Sequence, residues 1–355
     1  MKLTPTFFPK FLKRIMRFLM TFLYRARSII DLDSNEKLQI LNQSFKKQIV
    51  LGNTPYWLYY VQNGRIYTDR NSTIAVIDEH KALIRGASWQ YVSGQCVEPS
   101  KNNAFNAIDK CPNNINGTVL SLLTGSGGNS NYFHWLFDAI PRMAIVKGIL
   151  SLNEIDYFLV PSMHLPYQIE SLKYLGILSK AISSEKFNHI KANKLLITDH
   201  PRPNLNISRW ICDFLRYSFQ RYADERMTPS AEYIYVTRQD AKGKRIITNE
   251  EDVIKELNRR GFCSVTLSNY TLSQQIAIFK KAKYIVSPHG AGLSNLVFSP
   301  EQTRVIEIFN ESYRLKVYEN LSNCLNLKYI QYVGKDSGKD RNDIYVNVAN
   351  LISLL

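Results

Sequence analysis

A chain of 355 residues is too long for one small core and fits two domains of ordinary size. At 45% apolar and 12% aromatic it can bury two such cores, which excludes a disordered chain. The net charge of +15 calls for an acidic partner: nucleic acid, an anionic membrane face or a phosphorylated substrate. The five cysteines are scattered, odd in number and without a Cys-x-x-Cys pair. They argue against a disulfide framework or zinc site and for a reducing compartment.

Residues 1–30 carry seven basic residues and no acid, interleaved with Phe8, Phe11, Leu12, Ile15, Leu19 and Phe22 on one helical face. The longest uncharged piece, Phe18 to Tyr24, is far short of the ~20 residues of a membrane span. No small-residue cleavage site follows, which argues against a signal peptide. A basic amphipathic helix on an anionic membrane surface is expected; the plainer alternative is a helix packed on the body of the protein.

Residues 31–230 read as a first α/β domain. Strands are expected at 49–51, 57–61, 65–68 and 73–77, with Asn63-Gly64 as a hairpin turn, forming an antiparallel addition. Strands at 118–123, 157–160 and 194–197 alternate with helices, the pattern of a parallel sheet. Residues 208–226 read as a helix leading out of this domain. Residues 231–335 alternate more cleanly: strands at 233–236, 263–267, 284–286, 304–309 and 328–333 with helices between predict a Rossmann-like sheet. Asn249 and Thr271 are placed to cap two of those helices. Residues 336–355 are expected to be a loop and a last helix packed back on the first domain.

Three clusters carry candidate chemistry. In Ser287-Pro288-His289-Gly290-Ala291-Gly292-Leu293-Ser294-Asn295 an apolar strand runs into a glycine turn and a helix starting near Ala291. Gly290 and Gly292 let backbone approach a ligand, and the first helical N–H groups suit a diphosphate. A turn that merely packs a helix on a sheet is the plainer reading. Asn131, His134, Asp138 and Arg142 fall on one polar stripe of a helix after a glycine-rich loop. His134 oriented by Asp138 could act as general base, or Asp138 itself; a solvated helix face is the equal alternative. In Thr237 to Arg245, Arg238 sits past the carboxyl end of a strand, with Lys244 and Arg245 in the loop beyond. Guanidinium groups suit phosphate oxygens, although a charge run is more often a solvated turn. Glu307 lies in an otherwise apolar strand and must meet a cleft or a partner, either a ribose diol or a nearby Arg or Lys.

Asn131 to Arg142, Tyr235 to Arg245 and Ser287 to Asn295, in that order and spacing, resemble glycosyltransferase family sixty-one, over roughly residues 118 to 335. The resemblance implies a GT-B-like fold, two Rossmann-like domains facing across a cleft. It also implies inverting transfer from a nucleotide-sugar, commonly uridine-diphosphate linked, to a glycan or lipid-linked saccharide. Bacterial relatives often serve capsule, lipopolysaccharide or exopolysaccharide synthesis. The roles that follow are His134 or Asp138 as base, Arg238, Lys244, Arg245, His289, Gly290, Ala291, Gly292, Asn295 and Glu307 for the donor, and Asn131 and Arg142 on the acceptor side. No Asp-x-Asp lies at a strand end, so turnover without a metal or other cofactor is expected. The expected setting is the cytoplasmic face of the cell membrane, with no nucleic acid as partner. Three competing readings are a dinucleotide-dependent oxidoreductase, an inactive saccharide-binding scaffold, and nucleic-acid binding. The late position of the glycine turn and the missing Gly-x-Gly-x-x-Gly count against the first. The concentration of basic residues in 1–30 counts against the last.

Overall fold

The computed structural model describes residues 7–34, 43–125, 127–240, 245–337 and 342–355. They fall into two compact units. Unit 1 comprises residues up to Leu165 together with Gly176–Pro201; unit 2 comprises Pro166–Leu175 and Arg202–Leu355.

Unit 1 begins with α1 (Phe7–Tyr24). Among its described residues is a sheet of twelve strands: β1 (Ser28–Ile30), β2 (Phe45–Leu51), β3 (Thr54–Gln62), β4 (Arg65–Thr68), β5 (Thr73–Ile77), β6 (Ala82–Ile84), β7 (Trp89–Val92), β8 (Gln95–Cys96), β9 (Asn113–Ser121), β10 (Tyr157–Val160), β11 (Ala181–Ser183) and β12 (His189–Thr198). The front part is antiparallel except where β1 pairs with β6 in parallel, whereas β12, β9, β10 and β11 run parallel in that order. The expected hairpin at Asn63-Gly64 is absent. β3 and β4 both pair with β12, Leu195 opposite Val61 and Ile190 opposite Ile66, so they follow one another along the same neighbour. Asn63, at φ 48°, kinks this line rather than reversing it. A Cβ on Gly64 would lie 2.6 Å from Val61 Cγ1, so packing at the kink demands the glycine. The core of the sheet is aliphatic, with Val61, Ile74, Val119, Leu195 and Ile197 fully buried.

Unit 2 holds β13 (Tyr233–Val236), β14 (Cys263–Val265), β15 (Tyr284–Pro288), β16 (Arg304–Asn310), β17 (Lys328–Asp336) and β18 (Ile344–Tyr345). Their spatial order is β14-β13-β15-β16-β17-β18. The first five are parallel and β18 is antiparallel. This is the flavodoxin-like variant of the expected doubly wound sheet. The chain steps from β13 to one side and then returns to the other, which makes the β13/β15 boundary a topological switch point. Thr271 and Gln274 form a full capping box at the head of the helix Leu272–Lys281. Asn249 occupies the N-cap position of Glu250–Asn258, but its amide pairs with the backbone of Val346 instead. The helix Arg209–Phe219, read from the sequence as leaving the first domain, belongs to unit 2. The C-terminal segment is a short strand and a helix over Val348–Ile352, not one long helix. It covers the sheet of unit 2 rather than the first domain: Val346 and Leu351 are buried with Val286, Ile306 and Ile308.

One buried histidine gives unit 1 a pH dependence. His189 is buried, its Nδ1–H donating to the Lys110 carbonyl at 2.7 Å, and its Nε2 lies 3.3 Å from Arg65 Nη1. That geometry requires a neutral ring. Burial drives its pKa down to about 4, the Arg65 charge adding to the effect and the Lys110 carbonyl opposing it. The unfolded chain therefore binds the extra proton between about 6.5 and about 4. The contribution is complete above the first value and is lost as pH falls towards the second. Denaturant midpoints should drop between pH 7 and 5, and the His189→Gln variant should drop less steeply, by up to about 1.4 kcal/mol per pH unit.

Candidate functional site

At the switch point, Tyr235 of β13 stands opposite Val286 of β15. Beyond the ends of these strands, Arg238 follows β13 and His289 follows β15. Both lie at the carboxyl edge of the sheet, where α/β folds bind ligands. The Arg238 side chain lies directly on the Gly290 backbone, so that a Cβ on Gly290 would collide with Nη1. Gly290 has φ 179°, ordinary extended backbone. Its lack of a side chain, not an unusual dihedral, is what the site uses.

Arg238 Nε is buried and has no hydrogen-bond partner among the described residues. Burial lowers the guanidinium pKa from its ordinary value, and the charge of Arg245 lowers it further. Arg245 stands over the ring of Tyr313 at 5.2 Å. Two guanidinium groups held within each other's field, one with an open donor, have the charge and geometry that suit an anion. Lys244 lies outside the described residues.

His289 is 5% exposed. Its Nδ1 meets Glu307 Oε1 at 2.5 Å, and Tyr329 donates to Glu307 Oε2 at 2.5 Å. Burial raises the Glu307 pKa, while the His289 and Tyr329 contacts pull it down. The imidazole stacks on Phe309, with ring centroids 5.1 Å apart, and is flanked by Tyr313 and Tyr318. With Nδ1–H committed to the carboxylate, Nε2 is the nitrogen turned away from Glu307.

Four donor-side expectations change in their physical content. Glu307 is 0% exposed with both oxygens occupied, so it orients His289 and presents nothing to a ribose. Asn295 is equally buried, its amide donating to Gln275 Oε1 and the Gly292 carbonyl; it braces the turn from within. The segment Ala291–Phe298 is a 3-10 helix rather than an α-helix. Its first N–H groups still lack intrahelical partners, but fewer dipoles line up behind them. A Cβ on Gly292 would lie 2.7 Å from Leu267 Cδ1, so this glycine makes room for a side chain beneath it. Ala291 and Gly292 are half-buried.

In unit 1 the expected single helix is interrupted. Tyr132–His134 is α-helical, Trp135–Ala139 is a π-helix, and Arg142–Lys147 resumes the α form. Pro141 explains the break: it has no N–H and its ring clashes with the carbonyl of Phe137 in a regular α-helix. The wider turn closes with Ile140 N–H donating to the Trp135 carbonyl at 3.1 Å. The stripe is lost as a consequence. Arg142 turns inward, 1% exposed, donating to the carbonyls of Asp138, Thr198 and Asp199 beside Trp89. Burial lowers its pKa to about 10. Arg142 thus ties helix to strand rather than meeting an acceptor. Asn131 accepts the N–H of Phe133 and caps the helix.

His134 and Asp138 remain together, Nδ1 to Oδ2 at 2.5 Å. The His134 side chain is 39% exposed and that of Asp138 only 3%. The ring lies against Gly127, where a Cβ would stand 2.7 Å from His134 Cγ. His200 Nε2 approaches the other oxygen of Asp138 at 3.6 Å. Sequence reading passed over His200. Its signal was the Asp199-His200 pair just beyond the β12 strand, at the same sheet edge as the glycine loop.

A doubly wound sheet with guanidinium groups at its switch point defines an α/β protein whose open strand ends carry positive charge. More particularly, residues 132–306 match the family model described as Glycosyltransferase 61, and over that segment the chain belongs to this family. The segment contains His134, Asp138, Arg238, Arg245 and His289. Beta-1,2-xylosyltransferase RCN11 of Oryza sativa subsp. japonica is 24% identical over 106 residues, 28% of this chain and 20% of that protein. The match therefore spans about a fifth of the length of that curated relative. The bacterial iron-containing dodecameric glycosyltransferase TibC from enterotoxigenic E. coli H10407 is 10% identical, over 80% of this chain and 81% of that one. Its TM-score of 0.28 is too low to establish a shared fold.

If Arg238 depends on the bare backbone of Gly290, Gly290→Ala should displace it. Nucleoside-diphosphate binding, measured by titration calorimetry across uridine, guanosine and cytidine diphosphates, should weaken by about tenfold or more. Arg238→Ala should do the same, and the double variant should be no worse than either single one.

Proposed function

We propose that this chain is a glycosyltransferase that moves a sugar from a nucleoside-diphosphate donor to a glycan or lipid-linked saccharide acceptor with inversion. The observation that carries the reading is Arg238 seated on Gly290 beside Arg245, with a buried Nε left open. Family membership over residues 132–306 supports sugar transfer as the chemistry. The reading includes a GT-B-like division of labour, with unit 2 serving the donor and unit 1 the acceptor. A uridine-diphosphate sugar and a surface-polysaccharide acceptor are its most specific form.

In this mechanism His134 is the base. It is the exposed member of its pair, and Asp138, buried behind Nδ1, holds the ring in the tautomer that leaves Nε2 as proton acceptor. Nε2 takes the proton of the acceptor hydroxyl as its oxygen attacks the anomeric carbon. The bond to the diphosphate oxygen breaks on the opposite face, which inverts the configuration. Negative charge grows on the departing diphosphate, and Arg238 and Arg245 stabilise it; Glu307 fixes the orientation of His289 at the same strand edge. Fixed cations can supply this stabilisation without a metal ion.

Three measurements test the proposal. A nucleotide-sugar panel screened by thermal shift should show one class raising the melting temperature, because ligand binding stabilises by mass action. With that donor, His134→Ala and Asp138→Asn should each lower turnover by about a hundredfold or more while leaving nucleotide affinity nearly intact. Turnover in excess chelator should stay within about twofold of the untreated enzyme if fixed cations suffice; a loss restored by manganese would refute the metal-free route.

A further inference from the structure

We propose that α1 docks this protein on an anionic bilayer, lying in the interface with its apolar face among the acyl chains. Fitted to about 100° per residue, its side chains separate cleanly into two arcs. Phe11, Leu12, Ile15, Phe18, Leu19 and Phe22 fill one, continued by Met16 and Leu23; Lys10, Lys13, Arg14 and Arg17 fill the other. All eight apolar side chains are exposed, Phe18 by 71%. No helix among the described residues is long and apolar enough to cross a membrane.

The helix is not a loose tail. Tyr24, on the basic arc, packs edge-on against His189, and its carbonyl accepts from Arg65. Arg17, one heptad earlier on the same arc, meets Asp109 at 3.2 Å. Ala26 is buried, its N–H donating to the Ala104 carbonyl, and β1 then pairs with β6. The basic arc thus leans on unit 1, and the apolar arc points away from it. A helix of this length gains little stability alone in water and depends on something burying its apolar side.

Charge decides what that something is. α1 contains no acid, and Arg25 and Arg27 follow it, both guanidinium groups standing over the ring of Phe22 at 5.7 and 5.9 Å. They line an open recess of about 580 Å³ with Phe22, Phe105 and Asn106 at the root of the helix. A second copy of the chain would set these cations against their own kind. A leaflet rich in anionic lipid offers each of them a phosphate, with the long side chains reaching up from the interface. This inference stands apart from the reading of sugar transfer, so either can fail alone.

The test is flotation of the full-length protein with vesicles of phosphatidylcholine alone or mixed with phosphatidylserine. Binding is expected to the mixed vesicles, falling steeply with added salt. Phe18→Asp with Leu19→Asp should abolish it. Lys13→Gln with Arg14→Gln should weaken only the anionic component, by about fivefold per charge. Unchanged melting and nucleotide binding in both variants would show that the body remains folded. Failure of the folded wild-type protein to float with anionic vesicles would overturn the proposal. So would binding indifferent to Phe18 and Leu19, or light scattering that reveals a dimer dissolved by the Phe18 and Leu19 changes.

Discussion

The close seating of an arginine on a glycine is the constraint from which the rest of the site follows. Arg238 reaches the Gly290 backbone because β13 and β15 are neighbours in the sheet. They are neighbours because the chain visits β14 on the far side before returning. In a sheet wound in one direction, the loop after each strand crosses over its neighbour and covers the strand end. At a switch point the two loops diverge, and the strand ends stay open. Residues 238 and 289, far apart in sequence, are thereby brought to the same edge.

Each unit sets a buried carboxylate behind an imidazole. Asp138 stands behind His134 in unit 1 and Glu307 behind His289 in unit 2, with contacts of 2.5 Å in both. A carboxylate out of water must be bonded at both oxygens or it is costly. Tyr329 and His289 meet that need for Glu307; His134 and His200 flank Asp138. The arrangement fixes one ring nitrogen and leaves the other for chemistry. The two histidines differ in access, His134 being far more exposed than His289. In the proposed mechanism that difference suits the first to a mobile acceptor and the second to a bound group.

Much of this was legible in the residues. Alternation of β-branched strands with amphipathic helices announced the sheet of unit 2, the strand-end position of Arg238 marked it out, and the blocks around His134 and His289 carried the family resemblance. The failures have local causes. Asn63-Gly64 has the composition of a hairpin, but Val61 packing and the long neighbour β12 make it a kink. The stripe from Asn131 to Arg142 assumed 3.6 residues per turn, and Pro141 broke that period, sending Arg142 into the core. Glu307 was read as needing a ribose or a cation, because nothing in its own strand reveals that a histidine and a tyrosine from elsewhere occupy both its oxygens.

By itself the sequence determined what depends on near neighbours along the chain: two α/β segments, the amphipathic separation of α1, the glycine turn and the residue types able to hold an anion. Periodicity and turn chemistry are local, and they are written in consecutive residues. Tertiary structure decided the strand order, which carboxylates were buried and with whom, and which side chains of the predicted site face inward. Those outcomes depend on contacts between residues far apart in sequence, where burial and the need to satisfy every polar group are settled by the whole fold and not by any one stretch.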